Sequence, residues 1–315
     1  MKKVIFIVLL IVFNCNFLTA QKFKKELSIT KSSNPLEINP KLDFEVSTDI
    51  DSTLVSKETL VTIKKIQFLL KKDQNQEALN LINTISKIDL EKNELFLLKG
   101  ILEFKLDNFS ASSNSFLNYA ALTTNDSIKS SVHYTIGVID LQRNLKISAF
   151  NNFKKSFELD AKNYTSCIVL GGICMSNNEF ENAIFYYKKA LEVNSGLNNV
   201  WNNLAFIYQK LDKHLEAKNI FTKIIKDEPD APLPYSNRSY SNLKLGFTKQ
   251  ALKDVNKSIK LFPENSYAFR NRALIYIELK QYEKACFEIE TAYKLGYQEK
   301  YGSDLDTIKS QNCKN

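Results

Sequence analysis

From about Thr59 to about Leu295 apolar side chains recur every three or four residues, the spacing that lays one stripe along a helix. Short polar stretches interrupt the stripe at regular intervals, which predicts a run of helical hairpins. Four windows, starting at Tyr164, Asn198, Pro232 and Ser266, follow one another at a spacing of 34 residues. The second is the clearest: Trp201, Leu204, Ala205 and Tyr208 in its first half, then Ala217, Phe221 and Ile224, and finally Pro229. The small residue that opens each second helix aligns as Ala78, Ala111, Ala149, Ala183, Ala217, Ala251 and Ala285. The last five are 34 apart, and the first two gaps are 33 and 38. Seven hairpins are therefore expected, the first two degenerate, with an insertion of about four residues in a loop around Thr123–Ser127. No proline stands between Pro40 and Pro229, so nothing breaks long helices there.

The flanks read differently. Lys2 and Lys3 precede an apolar run from Val4 to Phe13, and Thr19-Ala20 ends the stretch. A charged start, a short apolar core and a small residue predict a signal peptide over 1–20, cut after Ala20. The run is too short to span a bilayer comfortably, so an uncleaved anchor is the rival reading. Phe13 and Asn14 are poor neighbours for lipid modification of Cys15. Residues 21–58 hold Ser32-Ser33-Asn34-Pro35 and Asn39-Pro40 without a helical period and are expected to form a flexible leader. The array is expected over 59–299. In 300–315, Gly302-Ser303-Asp304 offers a helix start, and Leu305, Ile308 and Cys313 follow as the apolar face of a capping helix.

The 34-residue pattern resembles the tetratricopeptide repeat. Ile136-Gly137, Leu170-Gly171 and Leu204-Ala205 match its large–small pair in helix A, and Tyr208 and Tyr276 its aromatic. Phe153, Tyr187 and Phe221 match the aromatic of helix B, and Pro229 and Pro263 the closing proline. Three features depart from it. Asp140 stands where an aromatic is usual, Arg238 and Arg272 occupy the helix A leucine position, and the first two units lack the large–small pair. The resemblance implies an all-α, right-handed α-solenoid of about seven hairpins with a C-terminal capping helix.

Chemistry is sparse. His133 and His214 are far apart, the first read as a packed core residue and the second as exposed in an A–B turn. No His/Cys/Asp cluster has metal-ligand spacing, no glycine pair has the setting of a phosphate cradle, and no nucleophile elbow occurs. Neither an enzyme, a metal nor a cofactor is expected. The net charge of +8 falls to +6 when Lys2 and Lys3 are removed, and its cations are spread rather than striped, which argues against nucleic acid. Cys167 and Cys174 lie about two helical turns apart, beyond disulfide reach, and read as core fillers. Cys286 and Cys313 would staple the terminal helix to the last hairpin if bonded; the alternative is two unpaired thiols.

In proteins of this family certain helix A positions face a ligand groove. That resemblance implies an apolar middle zone of Tyr134, Val138, Ile168, Gly172 and Met175. A later polar zone holds Asn199, Asn202, Asn203, Phe206, Asn237, Tyr240, Arg270 and Asn271. Asparagine amides can donate to and accept from a peptide backbone, and an arginine can meet a carboxylate. Tyr235-Ser236-Asn237-Arg238-Ser239 looks like the repeat of chaperone-binding members. However, Asn202, Phe206, Tyr267 and Asn271 replace the Lys, Asn, Lys and Arg expected of that clamp. The expectation is a non-catalytic interaction scaffold of the cell envelope or exterior that binds a peptide or protein. A carbohydrate-binding cell-wall accessory is the alternative.

Overall fold

The computed structural model describes residues 56–92 and 95–313. The expected signal peptide and all but the end of the leader lie outside the described residues. The helices are α1 (Lys57–Lys71), α2 (Asn75–Ile82), α3 (Lys87–Lys92), α4 (Leu95–Lys105), α5 (Phe109–Ala121), α6 (Asp126–Gln142), α7 (Lys146–Leu159), α8 (Tyr164–Ser176) and α9 (Phe180–Val193). They continue with α10 (Asn198–Lys210), α11 (His214–Asp227), α12 (Pro232–Lys244), α13 (Thr248–Leu261), α14 (Ser266–Glu278), α15 (Tyr282–Lys294), α16 (Tyr297–Tyr301) and α17 (Asp304–Asn312). No strand occurs among the described residues. Two compact units result, one ending at Leu170 and one beginning at Gly171. The first packs α1 on α2, α4 on α5 and α6 on α7; the second packs α10 on α11, α12 on α13 and α14 on α15.

Each hairpin turns by the same device. Asp73, Asp107, Asn144, Asn178, Asp212, Gly246 and Lys280 all have φ between +56° and +77°. The amide after each donates back to a carbonyl five residues earlier, as in Leu145 to Asp140 and Lys213 to Tyr208, both 2.8 Å. That bond closes the end of helix A with a left-handed residue, a conformation that Gly, Asn and Asp adopt most cheaply.

Helix crossings use a small residue against a ring 16 positions later. A Cβ built on Gly100, Gly137 or Gly171 would lie 3.0, 2.8 and 2.6 Å from Phe116, Phe153 and Tyr187 respectively. Gly100 therefore supplies the small residue that the second hairpin was expected to lack. Ser112, not Ala111, is the buried residue that opens α5, and its Oγ donates to the Gly100 carbonyl at 2.8 Å. With Ser112 the first gap is 34 and the second 37. Nor is the insertion a loop. It lengthens α6 to 17 residues against 13 in α8, with Asn125 capping the added turn by accepting from Ser127 and Ile128 N–H.

Two departures from the repeat also find partners. Arg238 takes the leucine position, and its Nε and Nη2 donate to both oxygens of Asp254, 16 residues on, at 2.8 and 2.7 Å. Arg272 makes a single bond of this kind, from Nη2 to Glu288 Oε2 at 2.9 Å. Asp140 is buried and accepts from Ser148 and Asn152.

At the C-terminus, Leu305 of α17 and Tyr297 of α16 pack into the cluster of Phe269, Ala273, Ile289 and Ala292. A disulfide joins Cys286 to Cys313, with Cα atoms 5.7 Å apart. Cys167 and Cys174 are buried and belong to no disulfide. Burial, then Glu179, pushes the Cys174 thiol up to about 11, which removes it from thiolate chemistry at neutral pH.

Candidate functional site

The residues with the chemistry for a ligand lie on α10, α12 and α14 of the second unit. Three factors place them there. The apolar stripe of each A helix turns towards its B helix, Pro at the start of α12 pre-sets the first turn, and the left-handed closures hold each hairpin at one length. What remains outward on α10 is Asn199, exposed, and Asn202, Asn203 and Phe206, half-buried. On α12 it is Asn237 and Tyr240, both half-buried.

The asparagines are knitted together. Asn237 Nδ2 donates to Asn202 Oδ1 at 3.2 Å, and Asn203 Nδ2 donates to the Tyr187 hydroxyl at 3.3 Å. Gln209, buried between the helices, donates to the Asn237 carbonyl at 2.7 Å and to Ser241 Oγ at 2.8 Å. The amide row is thus pre-oriented, and only Asn199 is exposed.

Cations gather around the two rings. Lys210 lies 5.3 Å from the Phe206 centroid, and Lys244 and Arg270 lie 5.7 and 5.3 Å from that of Tyr240. His214 stands edge-on to Tyr240 at 5.8 Å. The resemblance to the family did not single out Lys210, Lys244, His214 or Gln209. The two lysines had a signal, each standing four residues after an aromatic on the same helix face.

Several expectations need correcting. Asn271 is fully buried and donates to the Ser236 carbonyl at 3.0 Å, so it ties α14 to α12 and offers nothing to a ligand. Arg270 gives its Nε and Nη2 to Asp304 of α17 at 3.2 and 2.9 Å, so its carboxylate partner is already present. In the apolar middle zone Tyr134, Val138, Ile168, Gly172 and Met175 are all buried, so none is free to meet a ligand. His133 is only half-buried and shares a 3.0 Å hydrogen bond with Asn152. His214, expected in solvent, is buried as the first residue of α11, 3.4 Å from the Asp212 carboxylate. Its pKa is lowered, chiefly by burial, against the opposing pull of Asp212.

Tyr267 and Tyr297 stack beside Arg270, with planes 13° apart, and burial raises both phenol pKa values well above the ordinary range. They are structural rings of the cap. Among the described residues no group of three His, Cys, Asp or Glu could hold a metal, and no helix is long and apolar enough to cross a membrane.

Comparison with known proteins agrees with the helical-repeat fold. A family model described as tetratricopeptide repeat matches residues 164–196, 199–230 and 269–295. Hsp70-Hsp90 organizing protein 1 of Glycine max is 36% identical over 76 residues, 24% of this chain and 13% of that protein. The chain spans 22% and 13% of the length of the first curated relatives it matches. Among solved structures, the C-terminal part of a TPR repeat-containing protein from Cytophaga hutchinsonii superposes with a TM-score of 0.58 at 16% identity, covering 80% of this chain and 99% of that one. YrrB, described as a TPR protein with an unusual peptide-binding site, gives a TM-score of 0.51 at 16% identity, covering 63% and 99%.

Proposed function

This chain belongs to the tetratricopeptide repeat family, and from that premise we propose that it is an exported scaffold which holds an extended, acidic segment of a protein partner against α10 and α12. Proteins of this family mediate protein–protein interactions, and the fold is generally a non-catalytic interaction scaffold. The observation that carries the finer reading is the ordered row of Asn202, Asn203 and Asn237 beside two half-buried rings, each with a lysine over it. Amides satisfy a peptide backbone, rings pack its apolar side chains, and Lys210 and Lys244 meet its carboxylates. The row avoids the clamp of the chaperone-binding members, because Asn202 and Phe206 stand where that clamp needs Lys and Asn.

Phe206→Ala with Tyr240→Ala should cut partner capture from envelope extracts at least 10-fold while leaving helical circular dichroism intact. Undiminished capture would remove α10 and α12 from the binding surface. Export rests on the residues of 1–20, and the mature N-terminus should be Gln21 by mass spectrometry. A protein retaining Met1 would refute cleavage.

A second reading, a cell-wall carbohydrate accessory, is favoured by one observation. Trp201 and Tyr208 line an open cavity of about 350 Å³ with Lys188 and Glu192, an aromatic wall with polar groups at its rim. Binding to purified wall polymer that is lost with Trp201→Ala, and not with Phe206→Ala, would select this reading.

A further inference from the structure

One A-helix position carries Tyr208 in α10 and Tyr276 in α14, and between them, 34 residues from each, stands Asn242 of α12. An open-sided cavity of about 270 Å³ lies there, lined by Lys218 of α11, by Arg238 and Asn242 of α12, and by Gln250, Lys253 and Asp254 of α13. With Tyr208 in that position, the corresponding cavity of the preceding hairpin opens at the Trp201 end instead. Ile184, Glu216 and Asn219, the residues 34 positions before Lys218, Gln250 and Lys253, do not line it. Tyr208 itself lines that cavity, with Leu204 and Ile220 in place of Arg238 and Asp254.

The charges in this cavity are not balanced. Asp254 is taken by Arg238 and by Asn242 Nδ2, at 3.0 Å. Lys218 rests 4.2 Å from the Phe247 ring, with apolar Ile184 rather than a second cation one repeat earlier, and Lys253 is exposed at the rim. Asn242 is 2% exposed, and its Oδ1 has no hydrogen-bond partner among the described residues. A buried acceptor left without a donor destabilises the fold by its unreturned desolvation. Asn242 lines the cavity, so a donor bound there is the nearest that a small adjustment of the amide could give this oxygen.

We propose that this cavity binds a small hydroxylated carboxylate with the size and chemistry of a sugar acid. The carboxylate lies against Lys218 and Lys253, and a hydroxyl donates to Asn242 Oδ1. The volume equals roughly nine waters at about 30 Å³ each, enough for a single hexose-sized ring. The site goes beyond the peptide reading and does not rest on it. At 3.6 residues per turn, Arg238 and Asn242 point roughly 150° round α12 from Asn237 and Tyr240.

The test is calorimetric titration of the full chain with D-glucuronate, D-glucose and inorganic phosphate at constant ionic strength. Saturable glucuronate binding in roughly the millimolar range is expected, with glucose and phosphate each at least 10-fold weaker. Lys218→Gln with Lys253→Gln should weaken glucuronate at least 10-fold. Asn242→Tyr, which copies the following hairpin with its Tyr276 and Arg272–Glu288 pair, should abolish binding without lowering the melting temperature. Absence of saturable glucuronate binding would overturn the proposal. Wild-type affinity in the lysine double variant would do so on its own, even if the tyrosine variant failed to fold. Phosphate binding as tightly as glucuronate would overturn the sugar-acid assignment. A loss confined to the Phe206/Tyr240 variant would mean that the ligand sits on the peptide face instead.

Discussion

The Cα of Gly171 approaches the ring of Tyr187 so closely that a Cβ added to Gly171 would lie 2.6 Å from the ring carbons Cδ1 and Cε1. Tyr187 is fully buried, and its hydroxyl accepts from Asn203, so the ring cannot simply move aside. Gly171→Ala gains about 1 kcal/mol of helix propensity and loses roughly 1–3 kcal/mol to overpacking. The expected result is a net loss of about 1 kcal/mol, measured as a lower urea midpoint. At the equivalent position Ala205 packs with Phe221, and there Ala205→Gly should be the change that loses stability. If Gly171→Ala is neutral or stabilising, the close crossing is not what holds α8 to α9.

The Arg238–Asp254 pair stands where the preceding hairpin has Leu204 and Ile220. Both partners are largely buried, at 19% and 7% side-chain exposure. Removing one charge leaves the other without its partner, so Arg238→Leu should cost about 3–5 kcal/mol. Arg238→Leu with Asp254→Ile copies the preceding hairpin and should restore stability to within about 1 kcal/mol of wild type. A double-mutant cycle by thermal melting checks both numbers. Additive losses would show that the two side chains act independently.

Lys280 holds φ at +57°, where the other six turns have Asp, Asn or Gly. A left-handed residue with a Cβ costs roughly 1–2 kcal/mol more than glycine. Lys280→Gly should therefore stabilise the last hairpin by about 1 kcal/mol. A melting temperature at or below that of wild type would contradict this.

The disulfide closes a segment of 27 residues that includes both cap helices. Chain entropy alone assigns such a loop about 3.5 kcal/mol. Cys313→Ser should release α16 and α17, raising hydrogen exchange across residues 282–313 while exchange across α10 and α11 stays as in the wild type. Uniform exchange in the variant and the wild type would show that Tyr297 and Leu305 hold the cap unaided.

His214 has a folded pKa below its unfolded value of about 6.5, because burial and Lys244 outweigh Asp212. The unfolded chain then binds more protons as pH falls through about 6.5, and stability declines from that point until the folded state also titrates. His214→Gln should flatten the urea midpoint between about pH 7 and 5 relative to the wild type. An unchanged slope would assign the acid sensitivity to other groups.

The helical period was legible because burial of one stripe is a local constraint that repeats with the chain. Ser112 was missed because Ala111 beside it is also small, and only the approach to Gly100 distinguishes them. Arg238 and Arg272 read as departures because their acidic partners lie 16 residues away, a relation set by the hairpin and invisible to a helical period. The polar face was read in part. Asn199, Asn202, Asn203, Phe206, Asn237 and Tyr240 lie together on α10 and α12, whereas Asn271 and Arg270 face their neighbours.

Order along the chain was enough to specify a run of about seven hairpins and the rings Phe153, Tyr187 and Phe221, because spacing alone decides which side of a helix is apolar. Whether a polar side chain on that scaffold meets a ligand, a neighbouring carbonyl or an opposite charge depends on distances between helices. Asn237 stays open to a partner while Asn271, one repeat later, is sealed against Ser236. The two asparagines are the same residue type in the same sequence pattern, and packing alone separates them.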